Sequence, residues 1–178
     1  IIKEVKDICS DPTRQVHYVI YENIPGHSLY RIASILNPAV FIGIYLQILY
    51  SLDLAHKKFN FTHYDLSPSN IIVREPFGSE LFAIPYQPQD GIEYVVTNLI
   101  ATFIDYGYSH ISYDNQHFGH YGEEEFGVLP NKSFPLFDAY KVLCYLMNSF
   151  KNYDKQDMFD QGVKILKFFT LDDPVTFL

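Results

Sequence analysis

The feature that most limits how this chain can fold is a long apolar pattern between residues 38 and 58. Asn37 offers a capping side chain, and Pro38 stands at the first helical position, where its missing N–H costs nothing. Apolar side chains recur at the i, i+3, i+4, i+7 spacing of a helix. They are Phe41, Ile44, Tyr45, Ile48, Leu52 and Ala55. Because Leu46 and Leu54 lie on other faces, we expect this helix to be buried nearly all round.

Composition sets the outer bounds of the fold and of its partners. The chain has 178 residues, 48% of them hydrophobic, which is enough for one domain with a sizeable core. Its net charge of -8 argues against a nucleic-acid backbone or an anionic membrane as the main partner. Cys9 and Cys144 are too few and too far apart for a disulfide framework, which favours a reducing compartment, the cytoplasm or the nucleus. No signal peptide or transmembrane segment is recognisable by pattern.

The remaining patterns predict an α+β fold that is mostly helical. The first residues form a hairpin in this interpretation, with its second strand at residues 16–24. Further segments are expected as follows: a short strand at 71–73, a loop or loose hairpin at 75–91, one or two strands within 92–104, an irregular surface segment at 106–132, and helices at 137–150 and 155–169.

Polar residues that can take part in catalysis or metal binding follow the long helix. His63, Asp65 and Asn70 have the spacing H-x-D-x-x-x-x-N and run directly into the short strand. A second apolar strand ends in Asp105, and Gly107 frees the backbone just after it. Carboxylate and amide oxygens at neighbouring strand ends suit Mg²⁺, which usually keeps waters and shares phosphate oxygens. With a further carboxylate to orient or deprotonate a hydroxyl, this set fits phosphoryl transfer.

On these motifs the sequence resembles the C-terminal lobe of the protein kinase superfamily, of the divergent type found among large DNA viruses. Residues 61–73 look like the catalytic loop H-R-D-L-K-P-x-N, and residues 101–107 look like D-F-G. Residues 19–29 look like the last N-lobe strand and hinge. The helix at 38–58 looks like the one before the catalytic loop, and residues 137–140 look like the start of a buried helix that braces that loop.

The resemblance implies a role for each matching position. Asp65 would be the catalytic aspartate that accepts the proton of the substrate hydroxyl. Asn70 and Asp105 would hold Mg²⁺ beside it and complete the catalytic set. His63 would be a structural member of the loop, and Asp138 would brace the loop backbone.

The resemblance also implies ATP as the phosphate donor and Ser or Thr hydroxyls of proteins as acceptors. The backbone of Glu22 and Ile24 would meet the adenine edge, with Tyr21 as a bulky gatekeeper. The whole chain would then be a partial kinase-like domain, with the last N-lobe strands at 1–24 and the hinge and C-lobe at 25–178. We expect truncation at both ends, and no activity from this segment alone, because the N-lobe lysine is not present.

Two positions depart from the motif and keep two alternatives open. Tyr64 stands where many kinases have the Arg that reads a phosphate, and Ser67 replaces the Lys that helps to neutralise the transferred phosphate. These changes favour a pseudokinase scaffold, whereas the survival of both aspartates and Asn70 favours an enzyme. A small-molecule kinase of the choline or aminoglycoside type shares H-x-D-x-x-x-x-N, but Pro68 and the long segment after Asp105 favour a protein kinase.

Overall fold

The computed structural model describes residues 20–88 and 91–169. This part of the chain contains four α-helices and seven short strands. The helices are α1 Leu29–Ile32, α2 Pro38–Phe59, α3 Phe137–Asn152 and α4 Gln156–Leu166. The strands are β1 His27–Ser28, β2 Ile71–Arg74, β3 Phe82–Tyr86, β4 Glu93–Thr97, β5 Ile100–Phe103, β6 Ile111–Tyr113 and β7 Gln116–Phe118.

The long helix α2 forms the centre of the core. The Asn37 side chain accepts the Val40 N–H at 3.0 Å and so caps its first turn. The Asn60 N–H bonds to the His56 carbonyl in a left-handed C-cap, which stops the helix just before the polar loop. Ring contacts between Phe41 and Phe150, with centroids 5.2 Å apart, join α2 to α3.

The expectation that α2 is buried nearly all round was wrong. Leu46 and Leu54 are exposed at 36% and 47%, so part of the α2 surface faces solvent. The Tyr50 ring stacks on Tyr86 of β3 and covers part of another side. Within the described ranges, α2 is the one helix long and apolar enough to cross a membrane, although a third of its most apolar window is buried inside the fold. Its position fits a core helix.

A three-stranded antiparallel sheet in the order β1-β2-β5 positions the polar motifs. In its register Ile71 faces Phe103, so the start of β2 and the end of β5 lie side by side. Gly26 lets β1 approach β2, since a Cβ at this position would lie 2.5 Å from the Val73 carbonyl oxygen. Asn70 and Asp105 therefore leave the sheet at the same edge.

Several predicted elements are present and others differ. Both late helices and the strand expected at 71–73 are confirmed, the strand running to Arg74, and residues 92–104 contain two strands. Where a loose hairpin was expected, β3 pairs with β4. The early hairpin lies largely outside the described residues, and residues 20–25 are irregular rather than a strand.

Two elements escaped the sequence patterns altogether. The short helix Leu29–Ile32 lies in a stretch for which no helix was expected. The segment at 106–132 contains the hairpin β6–β7, where an irregular surface segment was predicted.

Candidate functional site

The polar loop between α2 and β2 is held from below by a buried carboxylate. Asp138, in the first turn of α3, is 2% exposed. Its Oδ2 accepts the backbone N–H of His63 at 2.6 Å, and its Oδ1 accepts that of Tyr64 at 2.9 Å. Burial raises the pKa of Asp138, while these hydrogen bonds and the charges of His63 and Lys141 oppose that rise. The residue that the sequence places as a brace therefore contacts the loop directly.

Tyr64 adopts a conformation that needs such support. Its φ of 64° lies in the left-handed region, which is uncommon for a bulky side chain. The Tyr64 hydroxyl donates to the Lys132 carbonyl at 2.9 Å, and its ring lies 5.7 Å from that of Phe137. Backbone bonds between Thr62 and His110, at 2.8 and 3.0 Å, hold the start of the loop against the later segment. The turn before Asp65 is thus fixed on several sides.

Asp65 and Asn70 form a direct pair across the loop. The Asn70 Nδ2 donates to the Asp65 carbonyl oxygen at 2.8 Å and to its carboxylate Oδ2 at 3.1 Å. With the amide nitrogen so used, the amide oxygen of Asn70 is the atom left to face a cation. Asp65 is partly exposed, so its second carboxylate oxygen is within reach of a substrate.

The end of β5 lies beside this pair. The Ile104 N–H donates to the Asn70 carbonyl at 3.0 Å, and Asp105 follows immediately. His63 is fully buried, and its Nε2–H donates to the Ile104 carbonyl at 3.1 Å. Its Nδ1 has no hydrogen-bond partner among the described residues. His63 thus links the polar loop to the strand that carries Asp105, with Tyr106 packed against its ring at 5.2 Å.

Asp105 differs from the loop residues in its exposure. Its φ is 63°, again in the left-handed region, and its side chain faces solvent. Its Oδ1 would lie 3.5 Å from a Cβ placed on Gly107, which is an ordinary van der Waals contact. The Asp105 carboxylate and the Asn70 amide oxygen, whose chain segments are joined by the Ile104–Asn70 backbone bond, are the types of oxygen donor that fit Mg²⁺, with waters and phosphate oxygens completing the coordination. No group of three or more His, Cys, Asp or Glu residues with metal-binding geometry occurs in the described ranges.

One charged residue at the site was missed by the sequence analysis. Lys141, on α3, donates from Nζ to the Tyr64 carbonyl at 2.7 Å and lies 3.4 Å from the Asp65 Oδ1. It stands three residues after Asp138, so both side chains project from the same side of the helix. That i, i+3 spacing was the available signal, and nothing in the loop sequence itself indicated a lysine from α3.

The residues expected to meet adenine stand apart from this cluster. Glu22 and Ile24 lie in the irregular segment before β1, and the described hydrogen bonds do not join them to Asp65, Asn70 or Asp105. Tyr21, the expected gatekeeper, is 73% exposed. In the β1–β2 pairing His27 lies opposite Val73 and Ser28 opposite Ile72, so the segment before β1 leads away from the sheet end that carries Asn70 and Asp105.

A groove of about 580 Å³ opens beside Asp65. Its walls combine aromatic and aliphatic side chains with two carboxylates and one ammonium group. They include Tyr64, Asp65, Tyr108, Glu123, Phe126 and Lys141. The groove is open to solvent.

Comparison with known proteins finds three viral proteins that are similar to part of this chain. The chain is 30% identical over 111 residues to a protein of Invertebrate iridescent virus 3 described as probable kinase 098L, covering 61% of this chain and 20% of that protein. It is 32% identical over 120 residues to the uncharacterized protein 035R of the same virus, covering 61% of this chain and 10% of the relative. The uncharacterized protein 179R of Invertebrate iridescent virus 6 is 35% identical over 71 residues, or 40% of this chain and 6% of the relative. No family model matches the chain.

Each match covers only part of this chain and only part of the relative. The chain spans a fifth or less of the length of the three relatives. What they establish is a distant similarity between this chain and a protein described as a probable kinase.

Proposed function

We propose that this chain carries the catalytic residues of an ATP- and Mg²⁺-dependent phosphotransferase that acts on Ser or Thr hydroxyls of proteins in a reducing compartment. The observation that carries the proposal is the hydrogen-bonded Asp65–Asn70 pair beside the strand end that bears Asp105. Phosphoryl transfer asks mainly for positioning and charge stabilisation, and this arrangement offers both. The similarity to a probable kinase supports the same reaction class.

In this proposal each residue has one task. Asp65 accepts the proton of the substrate hydroxyl as the hydroxyl oxygen forms its bond to the γ-phosphorus of ATP. The bond from that phosphorus to the bridging oxygen breaks, and its electron pair leaves with ADP. Asn70 and Asp105 would hold Mg²⁺, which when bound neutralises charge on the phosphates. Asp138 and His63 keep the loop and the strand end in place.

A protein substrate is favoured by the groove beside Asp65. It is open to solvent, and its aromatic walls can receive the residues that flank an acceptor hydroxyl. Neither a membrane nor a nucleic acid enters this proposal, since the net charge of -8 disfavours both as partners.

The test is phosphate transfer from ATP to a mixed protein substrate by the full-length protein. Replacing Asp65 with Ala is expected to lower the transfer rate by about 10²-fold or more, because the proton acceptor is lost. Asp53→Ala is the matched control, since Asp53 is an exposed carboxylate on α2 that pairs with Lys57. Tight ATP binding with no transfer by the unaltered protein would instead favour a nucleotide-binding scaffold.

A further inference from the structure

The polar loop brings no positive charge of its own to the place where phosphate would be transferred. Residues 61–70 contain neither Lys nor Arg, and Ser67 occupies the position at which the kinase motif has Lys. In phosphoryl transfer the equatorial oxygens of the moving group carry negative charge that a nearby cation stabilises. A working site therefore needs that cation from another element.

Lys141 is in position to supply it. Its Nζ lies 3.4 Å from the Asp65 Oδ1, and in the described part of the chain it is the ion-pair partner of that carboxylate. Its side chain is 24% exposed, so water screens its charge only in part. Lys141 and Asp65 also line the same groove, which leaves the ammonium accessible to a substrate.

The contacts of Lys141 leave its charge available. The shorter bond, 2.7 Å, goes to the neutral carbonyl of Tyr64, and the contact with Asp65 is looser than an ordinary charged hydrogen bond. A lysine ammonium is a compact charge on a flexible stem with three donors, so one donor can hold the loop while another meets phosphate.

We infer that Lys141, from α3, replaces the missing loop lysine as the cation that faces Asp65 and the transferred phosphoryl group. The inference rests on the proposed function. The competing explanation is that Lys141 only supports the left-handed Tyr64 through its carbonyl bond. The two explanations differ in whether a positive charge at position 67 can replace Lys141.

The decisive variants are Lys141→Met, which keeps the apolar stem, and Lys141→Met combined with Ser67→Lys. In the full-length protein, Lys141→Met is expected to lower kcat by about tenfold to hundredfold, with KM for ATP nearly unchanged. The added lysine at position 67 should recover most of that loss. Lys141→Arg by itself keeps the positive charge, so it should keep most of the kcat of the unaltered protein. Lys151→Met is the matched control, because Lys151 is an exposed lysine in the last turn of the same helix.

A second readout does not depend on turnover. Vanadate mimics the transferred phosphoryl group when it binds beside Mg·ADP. Lys141→Met should weaken vanadate binding by about tenfold while the affinity for Mg·ADP stays the same. The double variant should recover vanadate binding, and the melting temperatures of all variants report on the structural role.

The outcomes distinguish a failure of the proposed function from a failure of the role inferred for Lys141. If the unaltered protein neither binds Mg·ADP nor transfers phosphate, the proposed function is wrong and the inference fails with it. If the unaltered protein transfers phosphate and Lys141→Met does so equally well, only the inference is overturned. A lower melting temperature in Lys141→Met, with kcat and vanadate binding not recovered by Ser67→Lys or Lys141→Arg, would assign Lys141 the structural role alone.

Discussion

Two residues with a left-handed backbone conformation border the candidate site, and they differ in burial and in hydrogen bonding. Tyr64, with φ 64°, is 2% exposed and is bonded at its N–H, its carbonyl and its hydroxyl. Asp105, with φ 63°, is exposed, and its nearest anchors are the two bonds of its neighbour Ile104, whose N–H donates to the Asn70 carbonyl and whose carbonyl accepts from His63 Nε2. The chain thus fixes the turn before Asp65 firmly and leaves the other carboxylate open.

This difference in burial and bonding fits the tasks proposed for Asp65, which follows Tyr64, and for Asp105. A proton acceptor must stand at a defined distance from one hydroxyl, so its loop gains from being preorganised. A Mg²⁺ ligand must exchange water for an incoming ion and nucleotide, so an exposed carboxylate suits it. Substitutions on the Tyr64 side should therefore act on stability, and those at Asp105 should act on binding.

The largest effect is expected from Asp138→Ala. The change leaves two buried backbone N–H groups, those of His63 and Tyr64, without their acceptor. Losing two charge-assisted hydrogen bonds in a buried setting should lower the free energy of unfolding by about 3 kcal/mol or more. Urea denaturation followed by circular dichroism measures this quantity.

The control for that variant is Asp160→Ala, which removes an exposed carboxylate from α4. It should change the free energy of unfolding by less than about 0.5 kcal/mol. A loss below about 1 kcal/mol in Asp138→Ala, less than one such bond is worth, would show that the loop is held mainly by other contacts.

Asp105→Asn should have the opposite profile. An exposed Asn tolerates the left-handed conformation, so the free energy of unfolding should change by less than about 0.5 kcal/mol. Because the amide has lost the negative charge, Mg²⁺-dependent nucleotide binding should disappear in calorimetric titrations of the full-length protein with ATP. Asp114→Asn is the matched control, as Asp114 is also exposed and left-handed, with φ 50°. Unchanged Mg²⁺-dependent nucleotide binding in Asp105→Asn would show that Asp105 is not a Mg²⁺ ligand.

The parts of the fold that could be predicted from sequence are those with local signals. The capped apolar pattern after Asn37 predicted α2 to within a residue of its end at Phe59. The β-branched run at 71–73 predicted β2, which extends one residue further to Arg74, and its place directly after the polar loop put Asn70 at a sheet edge. These elements follow from spacing and side-chain type within a short window.

The parts that were missed depend on distant contacts or on weak turn signals. The hairpin β6–β7 turns at Asp114 and Asn115, both left-handed, and this two-residue turn was hidden in a polar stretch. The contact between Lys141 and Asp65 joins residues 76 positions apart, so only the packing of α3 under the loop creates it. Partial exposure of α2 was missed because periodicity does not tell how many neighbours cover a helix.

The smallest effect is expected at His110, whose backbone pairs with Thr62 and so helps to hold the turn that contains Tyr64. His110 is 1% exposed; its Nδ1–H donates to the Asn60 carbonyl, so its Nε2 accepts from the Nδ1–H of His117, at 3.0 Å. Burial lowers the pKa of His110, and the neighbouring His117 lowers it further against the opposing effect of the Asn60 carbonyl. The folded state therefore binds fewer protons than the unfolded chain, whose histidine titrates near 6.5.

It follows that the contribution of neutral His110 to stability is complete above that pH and is lost as the pH falls from there toward the lowered pKa. Removing the titrating group by His110→Gln should make the free energy of unfolding fall less between pH 7.5 and 5.5 than it does in the unaltered protein. Urea denaturation at the two pH values measures the difference, and His120→Gln serves as an exposed control on the same segment. Equal losses in His110→Gln and the unaltered protein would mean that protonation of His110 does not contribute to the change in stability over this pH range.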